Sequence, residues 1–272
     1  MEKNKRVLIF VNGNKEENNE LSVKFCKILK KNKVEYSFLT QSDLNSVISS
    51  DVLYVLGGDG TILRVVEFAN RNNIPIIGIN AGNLGFLTEF EKEEAADSIK
   101  LFLSDKLKKD ERITLSLKAD EKDCTGLNDV VLQRIYSESD GGLVIKVSVE
   151  IDGNEVSVIT GDGVIISTPT GSTAYSLSAG GAILAPKINA FSMTPLSAHS
   201  LHNRPIVFSA DSVCTLKLVG GSRAGLFVDG KLIKNIKEGE KVDIVKSESQ
   251  TVFLRKKSSD FFVRLAKKLS YR

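Results

Sequence analysis

The sequence predicts an N-terminal α/β domain followed by an antiparallel β-rich domain. Short, fully apolar runs alternate with helical patterns up to about residue 100. From about residue 112 the apolar period falls to two. At 272 residues the chain is also long for one layered core and comfortable for two.

In the first half, residues 7–11 (Val-Leu-Ile-Phe-Val) read as a buried strand, and Leu21, Phe25, Ile28 and Leu29 fall on one helical face among lysines. Residues 36–39, 52–56 and 74–79 are three further strands, with a helix over 61–70 between the last two. Strands that are apolar on both faces belong in a parallel sheet covered by helices on each side, a doubly wound, Rossmann-like arrangement. Residues 93–106 give one more helix, turning Ala96, Ile99 and Leu103 inward.

In the second half, Ile145, Val147, Val149 and Ile151 alternate with Lys146, Ser148, Glu150 and Asp152. Asp152-Gly153 then turns the chain into Val156 and Val158, because both central positions of a tight hairpin need positive φ. The alternation recurs over 213–218, over 226–233 with a turn at Asp229-Gly230, and over 242–245. This is antiparallel β, a sandwich or a folded sheet. The expected boundaries are 1–106 for the α/β domain and 107–250 for the β-rich domain. From 251 onward seven basic residues face one acid, Asp260. Phe261, Phe262, Leu265 and Leu269 stand at helical spacing there, so the tail is expected to be an amphipathic helix with a solvated Lys/Arg face, packing back on the first domain.

Lys plus Arg number 37 against 34 Asp plus Glu, a net +3 too small to imply nucleic acid or an anionic membrane as partner. No apolar run approaches the ~20 residues of a membrane span. The run at 7–11 is shorter than the roughly 7–15 residues of a secretory h-region. Cys26, Cys124 and Cys214 are odd in number and far apart, with no C-x-x-C, so neither a disulfide framework nor a zinc site is expected. A reducing, cytoplasmic location follows as an expectation.

The chemistry concentrates in two loops. Gly57-Gly58-Asp59-Gly60-Thr61 directly follows one predicted strand and precedes a helix, placing it at the carboxyl end of a parallel strand. Glycines let backbone N–H groups approach phosphate oxygens, and the following helix offers its positive end to the same anion. Asp59 could accept a proton from an attacking hydroxyl, hold a magnesium ion, or simply cap the helix. The second stretch, 161–181 (GDGVIISTPTGSTAYSLSAGG), is dense in Thr, Ser and Gly, nearly uncharged, and carries one aromatic face, Tyr175, on which a base could stack. Asn83-Leu84-Gly85-Phe86-Leu87 follows the strand at 74–79. Asn128-Asp129 sets an amide beside a carboxylate, suited to ribose hydroxyls or an adenine edge, although such a pair alone reads more simply as a turn. Residues 225–231 match the spacing of a phosphate-binding loop through its Lys, but Leu232 replaces the needed Ser or Thr and the segment is a strand and hairpin turn. His199 and His202 have no supporting Cys or His for a metal site.

Together and in this order, Gly57 to Thr61, Asn83 to Leu87, Asn128-Asp129 and Gly161 to Gly181 resemble the NAD kinases, and Pro195, His199, Arg204 and Pro205 fit a further stretch of that pattern. The resemblance covers about residues 50–235. It implies transfer of the γ-phosphoryl of ATP, or a phosphoryl of polyphosphate, to the 2′-hydroxyl of the adenosine ribose of NAD, with a divalent metal ion, Mg2+, bridging phosphates. It implies Asp59 as proton acceptor, Gly57, Gly58, Gly60 and Thr61 as the phosphate loop, and Gly60 and Arg64 in contact with dinucleotide or phosphate. Asn128 and Asp129 would hold the adenosine. Thr173, Ala174, Tyr175, Ser176, Leu177 and Ser178 would line the adenine pocket, with Thr170 nearby and Phe86 closing one side. Asp162 would meet the nicotinamide end across a subunit boundary, implying a homodimer or homotetramer. Thr160 stands where some members carry a basic residue, and Lys231 where Gln is common. Two rivals share parts of the pattern: a lipid kinase of the diacylglycerol kinase type, and a non-catalytic NAD(H) sensor.

Overall fold

The computed structural model describes residues 5–12, 16–82, 85–118, 124–135, 144–198, 202–221 and 223–270. Asn83, Leu84 and His199 of the family pattern lie outside the described residues. The chain divides into two units, residues 1–111 with 251–272, and residues 112–250.

Unit 1 contains β1 (Arg6–Val11), α1 (Glu16–Lys31), β2 (Glu35–Phe38), β3 (Val52–Leu56), α2 (Asp59–Leu63), α3 (Val66–Arg71), β4 (Ile76–Asn80), β5 (Phe90–Glu91) and α4 (Ala95–Leu103). β2, β1, β3 and β4 pair side by side, all parallel, and β5 pairs with β4. Every residue of β3 and β4 is buried, as a sheet covered on both faces requires. Val7, Ile9, Val52, Tyr54, Leu56, Ile77 and Ile79 pack with Leu21, Phe25 and Leu29 of α1 and Ile99 and Phe102 of α4. Gly78 points the other way, and a Cβ there would meet Ile62 of α2 at 2.7 Å, so α2 closes the opposite face.

The single helix expected over 61–70 is two helices, broken at Arg64-Val65 with Val65 at φ −115 and ψ 0. The break falls at consecutive β-branched residues, Val65 and Val66, which lose rotamer freedom against a helical turn. The helix expected over 93–106 is shorter at both ends. A 3-10 turn, Lys92–Glu94, precedes α4. Asp105 at φ 52 stops it, with the Lys106 amide bonding back to the Leu101 carbonyl.

β6 (Leu107–Lys118) leads into unit 2, which holds β7 (Cys124–Gly126), β8 (Asp129–Arg134), β9 (Ile145–Ile151), β10 (Asn154–Gly161), β11 (Gly163–Ser167), α5 (Tyr175–Ser178), β12 (Ala190–Leu196), β13 (Ile206–Ser209), β14 (Cys214–Gly221), β15 (Ala224–Val228) and β16 (Lys231–Ile236). One antiparallel sheet runs β13-β12-β11-β8-β15-β16. A second layer pairs β10, β9, β14 and the first part of β17 (Lys241–Lys256), again antiparallel. Val130, Leu132, Val164, Ile166 and Phe191 of the first sheet share a core with Val147, Val149, Leu216 and Ile244 of the second, a sandwich. Both expected hairpin turns form with positive φ at each central residue, Asp152-Gly153 and Asp229-Gly230.

Beyond Gln250, β17 belongs to unit 1, where Phe253 pairs with Ile76 in parallel register. α6 (Phe261–Leu269) follows. It belongs to unit 1 as expected, with Phe261 and Leu265 half-buried, but its inward face differs in part from the apolar spacing. Phe262, Val263 and Leu269 are exposed, Phe262 by 64%, whereas the Arg264 side chain is only 12% exposed. Arg264 finds buried oxygen partners that outweigh the placement of apolar rings.

Candidate active site

Asp59 is the first residue of α2, one step inside Gly58, which occupies the N-cap without any side-chain cap. The capping role is thereby set aside. Its carboxylate turns instead to the segment after β4: Oδ2 accepts from Phe86 N at 2.7 Å, and Oδ1 from Leu87 N at 3.0 Å and Thr88 N at 3.3 Å. Three successive amides on one carboxylate fix its rotamer. Gly85 makes the approach possible, since a Cβ there would overlap the Asp59 carboxylate. The Gly85 amide donates to Thr88 Oγ1 at 3.1 Å, closing the segment on itself.

Around Asp59 the loop is open where an anion would need it. A Cβ added at Gly58 or Gly60 would meet nothing within 4 Å, and Gly60 is exposed. Gly57 is crowded, at φ 154, against the buried Thr61 side chain. With only five residues in α2, the loop amides matter here more than a helix dipole. Arg64 is exposed, its guanidinium reaching Asn12 Oδ1 at 3.3 Å and Gln41 Oε1 at 3.1 Å. The Phe86 ring, half-buried, lies against Phe261 of α6 with centroids 6.4 Å apart, and Lys268 Nζ stands 5.5 Å over it.

In unit 2 the pattern residues form a second cluster. The Asp229 carboxylate accepts from Leu127 N at 2.8 Å, Asn128 N at 2.7 Å and Asp129 N at 3.1 Å. The Asn128 carbonyl accepts from Thr168 N at 2.9 Å, and Thr168 Oγ1 donates to Leu127 O at 2.6 Å. These bonds tie the Asn128-Asp129 bend to the start of the 168–181 loop. Gly171 sits so close that a Cβ would overlap the Asn128 carbonyl. Beyond it, Ser172 Oγ bonds Pro169 O at 2.6 Å and accepts from Leu184 N at 2.9 Å. Ser176 Oγ meets Thr194 Oγ1 at 2.9 Å.

Most hydroxyls of the loop are therefore structural. Ser172 and Ser176 are fully buried, Thr173 Oγ1 bonds Thr170 O at 3.2 Å, and Thr170 Oγ1 accepts from Arg112 Nη1 at 3.2 Å. Tyr175 is 45% exposed at the start of α5, and Ser178 is exposed while Ala174 and Leu177 are half-buried. Asp162 pairs with Arg134, Oδ1 to Nε at 2.7 Å.

Burial first, and then the Asp229 carboxylate, push Asp129 up to about 7. Burial also pushes Asp229 up, against the amides of Leu127, Asn128 and Asp129 that favour its charge. Of the two, Asp229 keeps the charge, because the amides are its partners. Asp229 and Arg112 carried no functional signal in the sequence. Asp229 read as a turn residue, and its partners lie 100–102 positions away.

The sequence pattern of the ATP-NAD kinase N-terminal domain matches residues 40–107, and that of the ATP-NAD kinase C-terminal domain matches residues 127–256. The NAD kinase of Rhodococcus jostii (strain RHA1) is 34% identical over 238 residues, 85% of this chain and 72% of that protein. That of Fusobacterium nucleatum subsp. nucleatum is 34% identical over 267 residues, 98% of this chain and 97% of that protein. Among solved structures, yeast NADH kinase complexed with NADH superposes with a TM-score of 0.85 at 26% identity, covering 98% of this chain and 88% of that one. An NAD kinase from Archaeoglobus fulgidus in complex with ATP superposes at 0.79 and 26% identity, covering 97% of this chain and 98% of that one.

Proposed function

This chain belongs to the NAD kinase family, and we propose that Asp59 is the base of its reaction. The enzyme is a phosphotransferase that converts NAD to NADP. In the proposed step the 2′-oxygen of the adenosine ribose attacks the γ-phosphorus of ATP. The new O–P bond forms as the bond to the β–γ bridging oxygen breaks, ADP leaves, and the hydroxyl proton passes to Asp59.

The observation that carries this role is the holding of the Asp59 carboxylate. Its Oδ1 accepts two amides and its Oδ2 one, so Oδ2 retains a lone pair directed by a fixed rotamer. Phosphoryl transfer asks the protein mainly for positioning and charge neutralisation, which suits a loop of glycine amides. ATP as donor is supported by the family's description and by the ATP complex of the Archaeoglobus relative. Magnesium would enter with the ATP. Among the described residues no group of three or more His, Cys, Asp or Glu converges, a donor set that fits an ion held mainly by substrate phosphates. Asp59 is the acid of the 57–61 loop that would reach it.

On the same reading Gly57, Gly58, Gly60 and Thr61 form the phosphate loop and Arg64 supplies positive charge. Asn128 and Asp129 hold the adenosine, the segment from Thr170 to Ser178 lines the adenine pocket, Phe86 is a further NAD contact, and Asp162 meets the nicotinamide end. The three free cysteines support a reducing, cytoplasmic setting, and no helix among the described residues is long and apolar enough to cross a membrane. The homodimer or homotetramer rests on the family resemblance, and light scattering of the purified protein tests it.

The deciding experiment mixes protein, NAD, ATP and magnesium and follows NADP through an NADP-specific dehydrogenase, with polyphosphate as a second donor. NADP formation that falls by ~10²–10⁴ in Asp59→Asn, with NAD binding retained, is the expected result. Turnover near the parent rate in that variant would sink the role of Asp59.

A further inference from the structure

One of the amides that hold Asp59, that of Leu87, shares its peptide with the Phe86 carbonyl, and that carbonyl is held by two arginines, Arg255 buried and Arg264 half-buried. The Phe86 carbonyl accepts from Arg255 Nη2 at 3.2 Å and from Arg264 Nη1 at 3.2 Å. Arg264 Nη1 also donates to the Thr88 carbonyl. The peptide joining Phe86 to Leu87 thus has guanidinium on its oxygen and the Asp59 carboxylate on its nitrogen. Cation, peptide and anion stand in series, and each polarises the next.

The arginines are fixed in turn. Glu89 Oε2 accepts from Arg255 Nη1 at 3.0 Å, Arg264 Nη2 at 2.6 Å and Ser259 Oγ at 3.1 Å, while Oε1 accepts from Lys256 N at 3.1 Å. Arg255 Nε reaches Asp110 Oδ2 at 2.5 Å. Arg255 and Glu89 are 4% and 6% exposed. Arg264 comes from α6, whose Phe262, Val263 and Leu269 are exposed, so this guanidinium is one of the groups that tie the helix to the 86–89 segment.

We propose that Arg264, supported by Arg255 and Glu89, is a positioning residue for Asp59. Its guanidinium sets the Phe86–Leu87 peptide plane and fixes the Thr88 carbonyl at the end of the segment, so that the Leu87 amide aims the Asp59 carboxylate at the acceptor hydroxyl. The proposal rests on Asp59 being the base. The C-terminal helix thereby becomes part of the catalytic support. Arg264 is the member to test, because without it Glu89 keeps Arg255. Removing Arg255 would instead break the contacts with Glu89 and Asp110 together, from the more deeply buried of the two arginines, and threaten the fold.

The test is a double-mutant cycle on the full chain with NAD, ATP and magnesium. Arg264→Gln should lower kcat by about 10- to 100-fold, the scale of a misaimed catalytic group, with KM for NAD within about 3-fold. Arg264→Lys, which keeps the charge but not the fork, should fall between. In an Asp59→Asn background Arg264→Gln should cost less than about 2-fold more, because residues acting as a unit are not additive. An unchanged kcat, a rise in KM alone, or an equal loss in both backgrounds overturns the proposal. If Arg264→Gln fails to melt as a folded protein, Arg264→Lys carries the same cycle with the same criteria. Near-parent turnover of Asp59→Asn would instead remove the base assignment itself, so the two failures are separable.

Discussion

Two carboxylates in this chain each accept three successive backbone amides: Asp59 from 86–88 in unit 1, Asp229 from 127–129 in unit 2. The local geometry is nearly the same, with donor distances of 2.7–3.3 Å and 2.7–3.1 Å. What surrounds them differs. Behind the Asp59 amides stand Arg255 and Arg264, and the loop beside it is open at Gly58 and Gly60. Beside Asp229 stands Asp129, a second carboxylate pushed up by burial and by Asp229 itself. On the proposed roles, the same device holds the base in one unit and shapes the adenine-binding loop in the other. The neighbouring charges decide which.

The largest contrast should come from removing each charge. Asp59→Asn is expected to lose ~10²–10⁴ in kcat with NAD binding retained. Asp229→Asn should cost about 2–3 kcal/mol of stability, the worth of charge-assisted bonds to buried donors, and should raise KM for NAD more than it lowers kcat. Steady-state kinetics beside urea unfolding reads both, and a pure KM effect in Asp59→Asn with a pure kcat loss in Asp229→Asn would invert the assignment.

The glycines that admit each carboxylate or carbonyl give the next effect. Gly85→Ala pushes a methyl onto Asp59 and should cut kcat by roughly 100-fold, as a displaced catalytic group does. Gly171→Ala pushes one onto the Asn128 carbonyl and should appear as about 1–3 kcal/mol of overpacking strain with weaker NAD binding. Equal kinetic signatures for the two would erase the distinction between holding a base and shaping a pocket.

A smaller effect belongs to pH. Asp129 lies at about 7 in the folded chain against 3.8 for an ordinary Asp. Between those values the unfolded chain releases a proton that the folded chain keeps, so stability falls as pH rises through that window and levels off above it. Asp129→Asn should flatten that part of the slope, measured by urea unfolding from pH 4.5 to 8 as roughly a one-proton change. An unaltered slope would mean that Asp129 is ionised throughout. Smallest of all, Phe262→Ser on the exposed side of α6 should change stability by no more than about 0.5 kcal/mol and leave kcat alone. A larger loss would show that this face is covered in solution.

Much of the architecture is set locally and could be read before any coordinates. A fully apolar five-residue strand such as β3 belongs in a sheet buried on both faces, and the alternation at Ile145, Val147, Val149 and Ile151 points to a sheet with one main core face. Asp-Gly pairs at 152–153 and 229–230 dictate their turns through φ. The glycine loop at 57–61 follows from its place after β3, and the hydroxyl-rich block at 161–181 from its composition. Tertiary structure alone decided how Asp59, Asp229, Arg255 and Arg264 are employed. The two carboxylates meet backbone amides and both arginines reach the Phe86 carbonyl, groups that carry no side-chain signature, at separations of 27–29, 100–102 and 169–178 residues. For the same reason α6 turns Arg264 inward and leaves Phe262 in water: apolar spacing sets a helix's preferred face, but a buried oxygen needing a cation can outweigh it.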